Sequence, residues 1–260
     1  MIVKKTPLYQ SVDMRFKNLS KYPNCTHIIT QKDNSQECGF SLALHTNENP
    51  KSILKNREAI QQKLPNREFI VADQTHSDHI QIIKTSHEQG WRELSTAIED
   101  CDALITDQKG IMLTILTADC VPILLFDPKR EIVSAVHAGW NGTYKKILYK
   151  TVKKMIDEFD CNPKNIIAGI APSISRCCYE VGEDVARYFF DDELAFDIVG
   201  DKYMLDLPYI NQQQLLQAGL NPKSIELSNI CTACEVENYF SYRKENGCSG
   251  RFMSMIGLSI

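Results

Sequence analysis

The 260-residue sequence contains no apolar run approaching the ~20 residues that a membrane span needs. Residues 111–127 come nearest, but Thr114, Thr117, Asp119 and Cys120 interrupt them. The opening MIVKKTPLYQ holds no apolar stretch of secretory length, so the expected location is cytoplasmic and no membrane partner is expected. Charge of one sign is also missing. With 29 Lys and Arg against 33 Asp and Glu, the net charge is -4, which invites neither nucleic acid nor an acidic surface. The one basic cluster, Lys145-Lys146, Lys150 and Lys153-Lys154, recurs at helical spacing and is followed by Asp157 and Glu158, as on a solvated helix face. There is no G-x-G-x-x-G and no Walker A loop, so nucleotide binding by those two devices is excluded. Neither a repeat nor a Gly/Ser/Pro-rich linker divides the chain, and residues 1–260 read as a single domain.

What is present is an ordinary globular composition, 43% hydrophobic and 24% charged, with ten cysteines. In a cytosolic chain of this size, cysteines are thiols and not a disulfide frame, and most behave as small apolar residues. Two groups stand apart, the adjacent Cys177-Cys178 and the C-x-x-C of Cys231 and Cys234. Taken alone, a C-x-x-C without a second pair reads as a buried or mildly redox-active thiol pair and not as a structural zinc site.

Turn formers dominate residues 24–50, which read as loops around one or two short strands, and residues 50–64 carry the periodicity of a helix. Strand-like runs follow at 68–72, 79–84, 103–106, 111–116, 121–126 and 131–137, several of them apolar almost throughout, as strands buried on both faces are. A helix is expected over 141–159, a strand over 165–170, a helix from about 181 and a hairpin around Gly200-Asp201. A helix at 209–218 and strands at 224–230 and 252–258 complete the chain. Some strands are joined by helices and others only by turns. That mixture points to an α/β fold, layered with mixed sheets, and not to a doubly wound parallel sheet.

Three segments carry chemistry: Gln74-Thr75-His76, Thr117-Ala118-Asp119-Cys120 and His137-Ala138-Gly139-Trp140. Each sets a metal-binding side chain at the edge of an expected strand, where layered folds place reactive groups. Two imidazoles and a thiolate suit zinc, and three ligands leave a fourth position, at which water ionises near neutral pH. Spacing alone does not join them. A strand-end histidine and a cysteine between apolar strands each have an ordinary structural explanation.

These segments, in this order, resemble the signatures of the YfiH-like family, also called multicopper polyphenol oxidase or laccase-domain proteins. The resemblance extends through Asn56-Arg57, Asp102-Ala103-Leu104, Ala171-Pro172-Ser173-Ile174, Tyr179-Glu180-Val181-Gly182, Asp206-Leu207, Cys231-Thr232, Phe240-Ser241-Tyr242-Arg243 and Ser249-Gly250-Arg251, nearly the whole chain from about residue 38. It implies a single α/β/β/α domain and a zinc held by His76, Cys120 and His137, with zinc ranked above copper. It also implies purine nucleoside phosphorylase activity toward adenosine, inosine, guanosine and methylthioadenosine, with adenosine deaminase activity. The implied catalytic residues are Cys120, Asp119 and His137. The implied substrate-binding residues are Arg57, Ser41 and Arg243, with Arg57 offering a guanidinium fork to phosphate. The partners are then a purine nucleoside and phosphate; nothing fixes the oligomeric state.

Two departures touch the site. Asn141 stands where the family has arginine after HAGW, and Gln31 and Ala43 replace an arginine and an asparagine of the N-terminal segment. Three other readings remain. A copper-dependent polyphenol oxidase needs several centres, and only six histidines are present, three of them at 27, 45 and 87 outside the motifs. A thiol hydrolase would use Cys120 as nucleophile, His137 as base and Asp119 as orienter. The third is a non-catalytic, metal-stabilised interaction protein. His79 lies three residues after His76, but the family pattern selects only His76, which leaves His79 as a strand residue.

Overall fold

Local chemistry sets the first elements of the computed structural model, which describes residues 13–84 and 87–260. Strand β1 (Cys25–Ile29) is followed by helix α1 (Pro50–Lys63). The Asn49 side chain accepts from the Lys51 amide and Pro50 opens the helix, so both the cap and the missing proline N–H fall where a helix tolerates them. Strands β2 (Glu68–Val71), β3 (Ile80–Ile82), β4 (Ala103–Thr106), β5 (Ile111–Thr117), β6 (Val121–Asp127) and β7 (Ile132–Ala138) come next. The last three are buried throughout their length, in keeping with their unbroken apolar runs.

The helix expected over 141–159 is two helices, α2 (Trp140–Tyr144) and α3 (Ile147–Phe159). Lys146 adopts the left-handed conformation between them, at φ 61°. The break is held from outside the segment: Gln214 Nε2 donates to the Thr143 carbonyl at 2.7 Å and Asn211 Nδ2 to the Thr143 hydroxyl at 2.9 Å. Tertiary bonding thus overrides an otherwise continuous helical pattern. The chain continues through β8 (Ile167–Ile170), β9 (Glu180–Val181), the short α4 (Glu183–Ala186), β10 (Phe196–Val199), β11 (Lys202–Leu205), α5 (Leu207–Gln217), β12 (Ile225–Leu227) and β13 (Phe252–Leu258). The expected hairpin at Gly200-Asp201 is the β10–β11 turn.

Two mixed sheets result, beside a small antiparallel sheet of order β10-β11-β9. One has the order β1-β13-β5-β2, with only the β5–β2 pair parallel. The other has the order β12-β8-β6-β7-β4-β3, antiparallel in the middle and parallel at both edge pairs. The sheets pack face to face through Leu113, Ile115 and Ile256 on one side and Leu124, Phe126 and Ala135 on the other. Helices α3 and α5 cover the outer face of the larger sheet through Val152, Met155 and Leu215. Helix α1 covers the smaller one through Ile60, which shares a core with Phe69 and Met255. The α/β/β/α layering is therefore realised. No helix among the described residues is long and apolar enough to cross a membrane.

One consequence of this topology positions the site. Strand β5 belongs to the smaller sheet and β6 to the larger, so Ala118-Asp119-Cys120 is the turn by which the chain steps from one sheet to the other. Asp119 makes the step at φ 87°.

Candidate metal centre and its cavity

Two loops and the end of a strand converge where the two sheets meet. His76 lies between β2 and β3 at φ 60°, Cys120 closes the inter-sheet turn, and His137 sits in β7 opposite Pro122 of β6. Their ligand atoms, two imidazole nitrogens and one sulfur, all lie within 4.8 Å of one another. His76 Nε2 is 3.7 Å from Cys120 Sγ. Gly139 permits this closeness, because a Cβ there would stand 2.8 Å from His76 Cδ2 and 3.2 Å from Cys120 Sγ.

Asp102, fully buried just before β4, organises the set. One carboxylate oxygen meets His137 Nδ1 at 2.6 Å, and the His137 amide donates to the Asp102 carbonyl at 2.8 Å. The other carboxylate oxygen accepts from the Ser77 amide at 2.7 Å and the Ser77 hydroxyl at 2.8 Å, while the His76 amide donates to the first at 3.2 Å. One carboxylate therefore fixes the ring of one ligand and shapes the turn that carries another. With Nδ1 held by Asp102, Nε2 of His137 is the nitrogen left to face a metal, the arrangement that metal-binding histidines usually show.

The electrostatics agree with this geometry. Burial alone would push the Cys120 thiol up, but the charge of His137 and hydrogen bonds from His137 and His76 outweigh it and bring the thiol down to about 6. Burial would likewise push His137 down, but the Cys120 and Asp102 charges pull it up to about 9. Asp102, despite burial, is held below the usual carboxylate range by its bonds to His137 and Ser77. A thiolate beside two imidazoles is a donor set for zinc, and three protein donors leave a position for a reacting molecule. The residues fit a single zinc ion. They do not extend to the histidine-rich set of a multi-centre oxidase, since His27 is buried accepting the Phe16 amide and His79 pairs with Asp100.

Beside the three ligands opens a cavity of about 520 Å³. Arg243, Arg251, Tyr179, Tyr242 and His45 line it together with Asp119 and the ligands themselves. The Arg243 guanidinium lies 5.2 Å from the Tyr179 ring centroid and that of Arg251 lies 5.6 Å from that of Tyr242. Both carboxylate oxygens of Asp119 are engaged, one by the Thr232 hydroxyl at 2.7 Å and the other by the Arg243 amide at 2.6 Å.

Residues 29–259 match the family described as multi-copper polyphenol oxidoreductase laccase. The chain belongs to that family. It is 34% identical, over 227 residues that make up 84% of this chain and 82% of the relative, to the purine nucleoside phosphorylase YlmD of Bacillus subtilis. A purine nucleoside phosphorylase of Bacteroides thetaiotaomicron is 30% identical over 254 residues, 93% of this chain and 94% of that one. The crystal structure of YlmD from Geobacillus stearothermophilus superposes with a TM-score of 0.89 at 27% identity, covering 96% of this chain and all of the other.

Within this laccase-domain scaffold, several expected roles shift. Arg57 does not reach the cavity. It is buried, its Nε donates to the Leu42 carbonyl at 2.8 Å, its Nη1 to those of Gly90 and Trp91, and it stacks on Trp91. A guanidinium spent on three carbonyls holds loops together and has no fork to offer phosphate. Ser41 is also fully buried, and its hydroxyl accepts the Arg251 amide at 3.1 Å, so it props the start of β13 instead of facing the cavity. Arg243 does line the cavity, although its Nη1 also donates to the Glu180 carbonyl at 2.7 Å. Of the departures, Asn141 donates to the His76 carbonyl at 2.8 Å and Gln31 to the Tyr239 hydroxyl at 3.0 Å, while Ala43 is buried in the α1 layer. Sequence reasoning missed Arg251 and His45 as cavity residues and Asp102 as the partner of His137. The available signal for Asp102 was an acidic residue directly preceding a strand that pairs with the HAGW strand.

Proposed function

We propose that this chain is a zinc-dependent purine nucleoside phosphorylase, acting on adenosine, inosine, guanosine and methylthioadenosine, with hydrolytic deamination of adenosine in the same cavity. The observation that carries the reading is the placement of the His76, Cys120 and His137 set and two arginines around one cavity of about 520 Å³. That volume lies within the ~300–1,000 Å³ of small-molecule sites. The names borne by the relatives from Bacillus subtilis and Bacteroides thetaiotaomicron support the same substrate class.

His76, Cys120 and His137 would hold the ion, which when bound supplies Lewis-acid stabilisation of developing negative charge. Arg251 and Arg243 take over the phosphate-binding role expected of Arg57, because both line the cavity and are held through Nη1 alone, Arg251 on Ser249 and Gly250 and Arg243 on Glu180, which leaves guanidinium donors for a tetrahedral anion. Tyr179 and Tyr242 offer ring faces against which a purine can stack. In phosphorolysis a phosphate oxygen bonds to the anomeric carbon as its bond to the purine nitrogen breaks. The electron pair leaves with the base, which then takes up a proton. Asp119 is better suited to positioning than to moving that proton, because its carboxylate ties the Thr232 and Arg243 loops to the inter-sheet turn.

The test is a product assay on zinc-loaded protein with each of the four nucleosides. Release of free base and ribose 1-phosphate that requires added phosphate, and a raised KM for phosphate in Arg251→Ala, are the expected results. Ammonia from adenosine without phosphate reports the deaminase activity. Absence of base, sugar phosphate and ammonia alike from all four substrates overturns the reading.

A second reading follows from the lowered Cys120 thiol. Cys120, His137 and Asp102 stand as nucleophile, base and orienter, with Asp102 in the role expected of Asp119. Chelation separates the two: a thiol hydrolase gains activity when the metal is stripped, and a zinc enzyme loses it.

A further inference from the structure

The C-x-x-C read from the sequence as a solitary thiol pair is not solitary in the fold. Strands β8 and β12 are parallel neighbours, so the segments leaving their C-terminal ends run side by side. Backbone bonds carry the pairing into those segments: the Ser173 amide donates to the Ile230 carbonyl at 3.3 Å and the Thr232 amide to the Ser173 carbonyl at 3.1 Å. Cys177 and Cys178 stand on the first segment, Cys231 and Cys234 on the second. All four sulfurs lie within 4.8 Å of one another. Cys234 Sγ is 3.6 Å from that of Cys177 and 3.4 Å from that of Cys178.

Four thiolates around zinc, with bonds of about 2.3 Å at tetrahedral angles, have sulfurs about 3.8 Å apart. The observed spacing is close to that, and it is too tight to surround a polynuclear iron–sulfur cluster. Backbone amides also converge on one sulfur. Cys231 Sγ accepts from the Ser175 amide at 3.5 Å and from the amides of Ala233 and Cys234, two and three residues further on. Such N–H···S bonds spread the charge of a metal-bound thiolate. Cys231 is buried beside Ile174 and Ala233, while Cys177 and Cys234 reach the surface and leave an ion a route of entry.

We propose that Cys177, Cys178, Cys231 and Cys234 form a second metal centre, a closed tetrathiolate site for one zinc ion that clamps the loop after β8 to the loop after β12. A closed set of four protein ligands leaves no position for substrate, so the role is structural. The clamp has a defined target. The two loops also bring Tyr179 and Arg243 to the cavity wall, and the buried Thr232 hydroxyl and the Arg243 amide hold Asp119. The ion would fix the part of the cavity wall that carries Tyr179 and Arg243 without touching substrate.

The test uses the full chain, prepared reduced and with zinc, then desalted. The expected metal content is two zinc ions per chain, falling to one in the Cys231→Ser/Cys234→Ser double variant and to one, at the other site, in His137→Ala. In cobalt-substituted protein the sulfur-to-cobalt charge-transfer absorption should fall to about a quarter or less in the double variant, leaving the single Cys120 contribution, since intensity follows the number of thiolate ligands. Should the double variant not fold, alkylation of the wild-type chain decides: zinc must protect Cys177, Cys178, Cys231 and Cys234 together, and a chelator must expose them. A zinc content that the Cys231→Ser/Cys234→Ser double variant retains in full overturns the proposal. So does a Cys178–Cys234 disulfide, seen as a loss of two hydrogens, in protein kept reduced, or an iron–sulfur chromophore in the same place.

Discussion

Two groups of soft ligands lie in this molecule, and they differ in what surrounds them. The His76, Cys120 and His137 set is mixed in chemistry, opens on a cavity and is oriented by a buried carboxylate. The four-cysteine group is uniform, lies outside the cavity that the first set opens on and is oriented by backbone amides. Three ligands with a carboxylate behind them leave room for chemistry, while four thiolates close a site. The difference teaches that donor count and partner type, more than the presence of a metal-binding residue, separate a reacting centre from a clamp.

The sharpest way to break the comparison is His137→Ala. If the mixed set is the reacting centre, turnover falls by at least about a hundredfold, because a metal centre supplies several kcal/mol of charge stabilisation. Zinc content falls by one while the thiol group keeps its ion. Activity surviving with the zinc of this site gone would remove the centre from the reaction.

Thiol reactivity in chelator-treated, reduced protein gives the next largest contrast. Cys120 is brought down to about 6 by His137 and His76 despite burial, so it is mostly thiolate at pH 7. Burial, then the hydrogen bond to Cys234, pushes Cys178 up to about 11, so it is protonated there. Weighing thiolate fraction against the lower nucleophilicity of an acidic thiol, Cys120 should react with iodoacetamide roughly thirty to ninety times faster. Its rate should fall as the pH drops through about 6, where the thiolate is protonated. Equal rates at pH 7 would show that His137 does not bear the charge that lowers Cys120.

These contrasts bear on what the sequence made legible. The apolar runs at 111–116, 121–126 and 131–137 announced central strands, each within a residue of its observed bounds, because a strand buried on both faces has little choice of residue. The grouping of His76, Cys120 and His137 was legible only through the segments around them, since residues far apart in the chain carry no spacing signal. Arg57 shows the opposite failure. An arginine in a recognisable segment invites a phosphate, yet which acceptors a guanidinium meets is decided by tertiary packing, here the carbonyls of Leu42, Gly90 and Trp91. The pairing of Cys177-Cys178 with Cys231 and Cys234 was hidden for a related reason. It depends on β12 pairing in parallel with β8, a topological fact that no local pattern encodes.

Asp102→Asn tests the orienting carboxylate with a smaller expected effect. The amide keeps the shape but removes the charge and turns one of the two acceptor oxygens into an NH2 donor, so it can no longer accept from both His137 Nδ1 and Ser77. Loss of such a partner typically weakens metal binding by about 10–100-fold. Zinc affinity of the mixed site, measured by competition with a chromophoric chelator, should fall by that amount while the four-thiol site holds its affinity. A loss shared by both sites would mean that Asp102 supports the fold as a whole and not one ligand set.

Asn141 is the finest test, because it stands where the family resemblance leads one to expect an arginine and its side chain bonds the His76 loop. Its Nδ2 donates to the His76 carbonyl at 2.8 Å, across the turn that holds His76 at φ 60°. A single neutral hydrogen bond contributes about 1 kcal/mol, so Asn141→Ala should weaken zinc binding at the mixed site about fivefold. Asn141→Asp cannot donate to the carbonyl and should do at least the same, whereas Asn141→Arg restores a donor and should recover most of the loss. The readouts are zinc affinity and the KM values for nucleoside and phosphate. A change confined to zinc affinity places Asn141 behind His76. An unchanged zinc affinity with a shifted KM would instead place the residue against substrate, and the exchange of arginine for asparagine would then be a determinant of which nucleoside the cavity accepts.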